Sequence, residues 1–267
     1  MWSKALTRDQ REFVERTGSA TVKTRVELIE AAGAYALLAR LDRPLDEDAR
    51  ATAQEWVERI AVVWRVAEQA GITHAEFAEE FSTERTHLLL GAIQDSFILL
   101  AYRPSHEAQL LLDVNDLTNR VEELREDGAW EEGDIKPRDF PGPAERDRES
   151  FELASMRVME AVAEASTFFP RLVDSRGPLE AGSAGEARSV LTELAIAGRE
   201  AEAAYGLLVS EVDVFDPRPS LVLHRSMVQA LVLRLSTDPE RRALAIPLPD
   251  LGSRVVHVRE GWKNARF

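Results

Sequence analysis

The feature that most constrains this chain is an apolar segment, LLLGAIQDSFILLAY, that runs from Leu88 to Tyr102. A helix that is apolar around its whole circumference must be covered by other elements on every side. The segment is too short to cross a bilayer, which needs roughly 20 apolar residues, and Gln94 and Asp95 interrupt it. We therefore expect a buried helix in a soluble protein that makes no membrane contact.

The rest of the composition favours helices as well. Ala, Leu, Glu and Arg dominate the middle of the chain, and alternating β-branched runs are nearly absent before Arg242. There are no cysteines, which excludes disulfides, thiolate metal sites and a cysteine nucleophile. A chain without cysteine is compatible with a reducing compartment, and the N-terminus has no apolar signal region. We expect a cytoplasmic protein.

Caps and stop signals predict where the helices begin and end. Gly18 is predicted to end a short first helix, and a second helix is predicted from about Ala20 to Leu41. Apolar residues recur in this second helix at mostly helical spacing: Val22, Val26, Ile29, Ala36 and Leu37. Further helices are predicted at 44–70, 82–102, 105–127, 145–169, 183–210 and 219–235.

The predicted fold class is all-α, a multi-helix bundle in two helical halves with a small C-terminal β-hairpin. The halves, 1–127 and 145–236, are separated by an acidic loop at 128–144 that is rich in Pro and Gly. In the remaining tail, 237–267, the stretches ALAIPL and RVVHVRE flank the turn-rich PDLGS, which indicates the hairpin.

Charge is distributed unevenly along this acidic chain. The net charge is −14, which disfavours DNA and anionic membranes as partners. From Arg234 to the end, seven basic residues stand against four acids, a net charge of +3. The segment Glu122–Asp134, in contrast, has seven acids and one arginine, a net charge of −6. We expect the basic tail to dock on an acidic surface.

One polar stretch resembles a known metal motif. NDLTNRVEE is similar to the second metal motif of class I terpene cyclases, and the resemblance implies Asn115, Asn119 and Glu123 as magnesium ligands. Asn119 stands where that family has a hydroxyl residue, and no aspartate-rich motif occurs upstream. In the alternative, the stretch is the wet side of an amphipathic helix whose buried stripe is Val114, Leu117, Val121 and Leu124. We adopt this alternative and expect no metal and no other cofactor.

Glu84 and His87 have the Glu-x-x-His spacing of ferritin-like di-iron bundles. Such a site needs two copies of the motif, and no other histidine has a glutamate three residues before it. The simpler hypothesis is an ion pair near the helix start or a histidine that faces solvent.

Arg218 and His224 have the Arg-x(4–6)-His spacing of HEPN ribonucleases. The resemblance implies a metal-independent attack on RNA in which these two residues are catalytic. Pro219 departs from the family pattern, which usually has a polar residue after the arginine. In the alternative, Arg218 is solvated and His224 sits at a helix edge.

Asp95 is the least expected residue of the apolar segment, because burial of a lone carboxylate is costly. The simplest expectation is a structural pair with an arginine, for which Arg40, Arg65 and Arg234 are the candidates. A functional polar site is the other possibility.

These observations lead to two functional hypotheses. The first is a non-catalytic interaction or regulatory protein that binds a protein partner or itself, with self-association into a homo-oligomer expected. Its binding residues would belong to the basic tail: Arg241, Arg242, Arg254, Arg259, Trp262 and Phe267. The second is the HEPN-like ribonuclease that uses Arg218 and His224.

Overall fold

The computed structural model describes residues 8–41, 45–69, 81–103, 108–126, 153, 156–168, 177–205 and 218–245. Every regular element within these ranges is helical, which confirms the all-α body. The elements are α1 (Arg8–Ala39), α2 (Glu47–Gln69), α3 (Phe81–Tyr102), a 3₁₀ turn (Ala108–Leu110), α4 (Val114–Glu126), α5 (156–168), α6 (Ala181–Tyr205), α7 (Arg218–Leu235) and α8 (Pro239–Leu244). The acidic loop at 128–144 and most of the predicted hairpin lie outside the described residues.

Helix α3 lies at the centre of the bundle, and it is buried, as its sequence predicted. It contacts α1, α2 and α6, and residues 89–101 are buried without exception. Phe97 lies between two aromatic rings, edge-to-face with Tyr35 at 5.5 Å and stacked with Trp56 at 6.2 Å. Because α3 also packs on α6 while α2 packs on α7, the two predicted helical halves share one core.

The prediction that Gly18 ends a helix is wrong, because α1 runs through it as one helix of 32 residues. An interior glycine costs about 1 kcal/mol, which is too little to break a helix of this length. The buried face of α1 is formed by Leu28, Ala31 and Tyr35. The apolar residues that predicted this helix from their spacing lie mostly on the outward side: Val22, Val26 and Leu37 are exposed, and Ile29 and Ala36 are half-buried.

Two predicted helix starts are also corrected. The helix expected from Ser105 begins at Val114, because the Asp113 carboxylate accepts hydrogen bonds from the amides of Asn115 (2.8 Å) and Asp116 (2.9 Å). Helix α6 begins at Ala181, so the capping box predicted at Ser183 lies inside the helix.

The basic tail begins with a short helix, α8. Asp238 caps it by accepting from the Glu240 amide at 2.8 Å, and Pro239 occupies the first turn. Ala243 and Leu244 belong to α8, so the predicted first strand of the hairpin is helical at its beginning. No helix in the part of the chain that the structure describes has the length and apolarity needed to cross a membrane.

Candidate functional site

The densest polar chemistry in the described residues lies inside the core, where Gln94 and Asp95 of α3 meet α7. The Asp95 carboxylate accepts two hydrogen bonds from the Arg225 guanidinium, at 2.9 and 2.7 Å. Asp95 is completely buried, while the side chain of Arg225 is 12% exposed. Arg225 also donates to the Gly91 carbonyl at 3.1 Å. The expected arginine partner of Asp95 is therefore present, but it is Arg225 and not Arg40, Arg65 or Arg234.

Two glycines make room for this pair. A Cβ atom added at Gly91 would lie 2.7 Å from Cζ of Arg225. A Cβ atom added at Gly198 of α6 would clash with the Asp95 carboxylate and would lie 2.8 Å from Cε1 of His224. The backbones of α3 and α6 thus approach the charged groups more closely than any larger residue would allow.

Beside this ion pair, two buried glutamine side chains form a reciprocal hydrogen-bonded pair. Gln94 and Gln229 exchange hydrogen bonds through their side-chain amides, at 3.0 and 2.7 Å. Gln94 also donates to the Val57 carbonyl of α2 at 3.0 Å. Both glutamines are fully buried, so these bonds compensate for the hydration that each amide loses.

His224 completes the cluster and is inaccessible to a large substrate. It is 1% exposed, and its Nε2 atom lies 2.7 Å from the Leu194 carbonyl oxygen. A carbonyl only accepts, so the neutral ring carries its proton on Nε2. Burial, and secondarily the charge of Arg225, lowers the pKa of His224 to about 4. The alternative that placed His224 at a helix edge is thus wrong. Arg218 is the first residue of α7, and its side chain lies outside the description.

The polar residues of the stretch that resembles the terpene cyclase motif lie on the solvent-exposed face of α4, as the alternative predicted. Asn115, Asn119 and Glu123 are exposed, and Asp116 forms an ion pair with Arg120 at 2.9 Å. The opposite side of α4 is apolar: Leu117, Val121 and Leu124 are buried, and Val114 packs against the core.

His87 does not face solvent, so that part of the simpler hypothesis is wrong. It is 6% exposed and lies edge-on against Trp64, with ring centroids 5.0 Å apart. Burial lowers its pKa to about 4. The side chain of Glu84 is outside the description. Among the described residues, no three His, Cys, Asp or Glu side chains form a group that could hold a metal ion.

Two of the six predicted tail residues are described, and both contact their own chain. Arg241 donates to the Glu58 carboxylate of α2 at 2.7 Å, and the Ser236 hydroxyl donates to the same oxygen at 2.8 Å. Arg242 donates to the carbonyls of Ser236 (2.9 Å) and Thr237 (2.6 Å), just beyond the C-terminus of α7. The other four, Arg254, Arg259, Trp262 and Phe267, lie outside the described residues.

Three residues of the cluster were not predicted from the sequence: Arg225, Gln229 and Gly198. A usable signal existed for one of them, because Gln229 interrupts the apolar segment of α7 just as Gln94 interrupts that of α3. Two polar interruptions in two buried helices indicate a mutual pair. No protein family, no curated protein and no solved structure matches this chain.

Proposed function

We propose that this chain is a non-catalytic, cytoplasmic interaction or regulatory protein whose basic C-terminal tail docks on an acidic surface. The observation that carries the proposal is the contact of Arg241 with Glu58. Through it, the first helix of the tail, α8, uses a basic side chain to bind an acid of the helical body. Helix α8 packs on both α2 and α7.

The charge of the remaining tail supports the same behaviour. Residues 246–267 contain four basic side chains and two acidic ones, together with Trp262 and Phe267. The acidic surface that we propose for them is the Glu122–Asp134 segment. Its first two residues, Glu122 and Glu123, are exposed on α4. Opposite charges attract, and the aromatic rings supply apolar contact area.

The core cluster supports a non-catalytic role. Asp95, Arg225, Gln94 and Gln229 bond to one another, and His224 bonds to the backbone. Groups arranged in this way hold helices together and present no free nucleophile or base to a substrate. No observation on the described residues favours the ribonuclease hypothesis, since RNA would have to reach an imidazole that is 1% exposed.

Carbodiimide coupling of the full-length protein tests the proposal, because it joins an amine to a carboxylate only where the two touch. Lys263 is the single lysine of the tail. We expect mass spectrometry to find Lys263 coupled to carboxylates of Glu122–Asp134, and we expect high salt to abolish the coupling. The coupling is repeated on a mixture of isotope-labelled and unlabelled protein. Coupled peptides that join a labelled to an unlabelled chain show docking between chains, and their absence shows docking within one chain.

Lys263→Arg is the matched control, because it keeps the charge and removes the amine. Lys23, which is exposed on α1, provides the background reactivity of a lysine in the same sample. Coupling of Lys263 at that background level, without preference for the acidic segment, contradicts the proposal.

A further inference from the structure

Helix α1 is apolar on two opposite faces, and only one of them is covered within the described structure. Leu28, Ala31 and Tyr35 face the core and have no exposed surface. On the other side, Val22 is 58% exposed and Leu37 is 72% exposed. A helix with apolar residues on opposite faces is typical of one that is buried on both.

The outward face has the spacing of a helix–helix seam. Its members, separated alternately by four and three residues, are Val22, Val26, Ile29, Gly33 and Ala36. This alternation is the 3.5-residue period at which two helices pack their side chains into each other. We call these five residues the α1 seam.

We propose that the α1 seam pairs with the α1 seam of a second copy of this chain, with the two helices antiparallel. In this arrangement Val26 lies opposite Ile29 of the second copy, and Val22 lies opposite Gly33. The space above Gly33 is open, since a Cβ atom added there would meet nothing within 4 Å. A branched side chain therefore fits where the other helix has none.

Charges beside the seam match in this register. Lys23 and Glu30 are both exposed, and antiparallel pairing brings Lys23 of each copy beside Glu30 of the other. Glu30 also contacts Arg59 of its own chain, which draws its carboxylate toward α2 and away from the apolar row. Two symmetric ion pairs at the flank select the antiparallel register in the way that flanking charges select partners in coiled coils.

The contact has a defined size. From Val22 to Ala36 the helix extends for about 21 Å, at 1.5 Å for each residue. A single pair of helices of this length lies at the low end of stable interfaces, so we expect a dimer that dissociates on dilution. The inference rests on the proposed interaction function but uses a surface other than the tail.

Sedimentation velocity of the full chain over a wide concentration range tests the inference. We expect a monomer–dimer equilibrium, and we expect Val26→Glu to abolish the dimer by placing a charge in the seam. The matched control is Val66→Glu on α2, at a valine that is 37% exposed and lies outside the seam; it should leave the equilibrium unchanged. Circular dichroism checks that both variants retain the helical content of the parent. A wild-type protein that stays monomeric, or a dimer that survives Val26→Glu, overturns the inference.

A charge swap tests the register. Lys23→Glu and Glu30→Lys should each raise the dissociation constant several-fold, and the double variant should restore it. The contact of Glu30 with Arg59 is lost in both Glu30→Lys and the double variant, so recovery isolates the contact between copies. Absence of recovery overturns the antiparallel pairing. The coupling of Lys263, measured in the Val26→Glu variant, tests the docking of the tail independently of the seam. A failure of the seam can therefore be distinguished from a failure of the proposed function.

Discussion

The Asp95 carboxylate and the Arg225 guanidinium form a two-point contact, 2.9 and 2.7 Å long, at a place where Asp95 has no exposed surface. Both groups lose hydration to form it, so the intact pair adds little net stability. Removal of one member, however, leaves a buried charge without its partner.

Arg225→Met is therefore expected to lower the free energy of unfolding by about 3–5 kcal/mol. The double variant Asp95→Leu with Arg225→Met should lose less, because no charge remains in the core. Urea unfolding of the three proteins measures the difference. Arg157→Met is the control, since Arg157 pairs with Glu200 at the surface, and we expect its stability to equal that of the parent. Equal losses for Arg225→Met and Arg157→Met would contradict the prediction.

Gly198→Ala and Gly185→Ala, both in α6, are expected to change stability in opposite directions. At Gly198 an added methyl group meets the Asp95 carboxylate and lies 2.8 Å from Cε1 of His224, which should cost about 1–3 kcal/mol. At Gly185 nothing lies within 4 Å, so alanine should stabilise the helix by about 0.4–1 kcal/mol. Thermal unfolding of the two variants decides this, and a shift of the same sign in both would refute it.

Acidification is expected to destabilise the protein through His87 and His224, the two histidines that are buried among the described residues. Burial lowers the pKa of His87 and His224 to about 4, below the ordinary value of 6.5. Between these values the unfolded chain binds more protons than the folded one, so stability is fully present above about pH 6.5 and falls until about pH 4. The slope should reach about 1.4 kcal/mol per pH unit for each histidine.

Unfolding in urea at a series of pH values measures this slope. His87→Phe and His224→Asn should each make it less steep over the same pH range, because one buried titrating group is lost. A slope that neither substitution alters would show that the acid sensitivity has another source.

Tyr35→Phe is expected to destabilise the junction between α1 and α4. The Tyr35 hydroxyl donates to the Leu112 carbonyl at 2.8 Å in a buried position, one residue before the Asp113 cap. Its loss leaves a carbonyl oxygen without a donor, at a cost of about 1–3 kcal/mol. Hydrogen exchange should show faster exchange for the first amides of α4, with α7 unaffected. Uniform acceleration in both helices would point to a global effect instead.

The sequence allowed correct prediction of the helices that packing makes unambiguous. A segment as apolar as Leu88–Tyr102 has to be buried, and residues 89–101 of α3 are buried. The amphipathic α4 was likewise predictable, because its apolar and polar residues separate cleanly by face. In both helices the local pattern of apolar residues was sufficient to predict which side is buried, although it did not show where α4 begins.

Predictions that depend on the neighbouring element were less successful. Asp95 required an arginine, but its identity depends on which helix packs against that side of α3, and the partner came from α7. The exposed row of α1 illustrates the same limit, since apolar spacing identifies a helix and does not tell which of two apolar faces points inward. At Gly18 the stop signal was misleading, because a single glycine is too weak to end a helix of 32 residues.

The reciprocal hydrogen bonds between the amides of Gln94 and Gln229 also affect how the helices of the bundle can be misaligned. If α3 slid along α7 by one turn, about 5.4 Å, both amides and the Asp95 carboxylate would move past their partners, and each would be stranded in an apolar layer. Helices lined only with leucine and alanine would tolerate that slip more easily, so these polar contacts favour the observed alignment over its neighbours. In homologous sequences, residue 94 should therefore covary with residue 229, and residue 95 with residue 225.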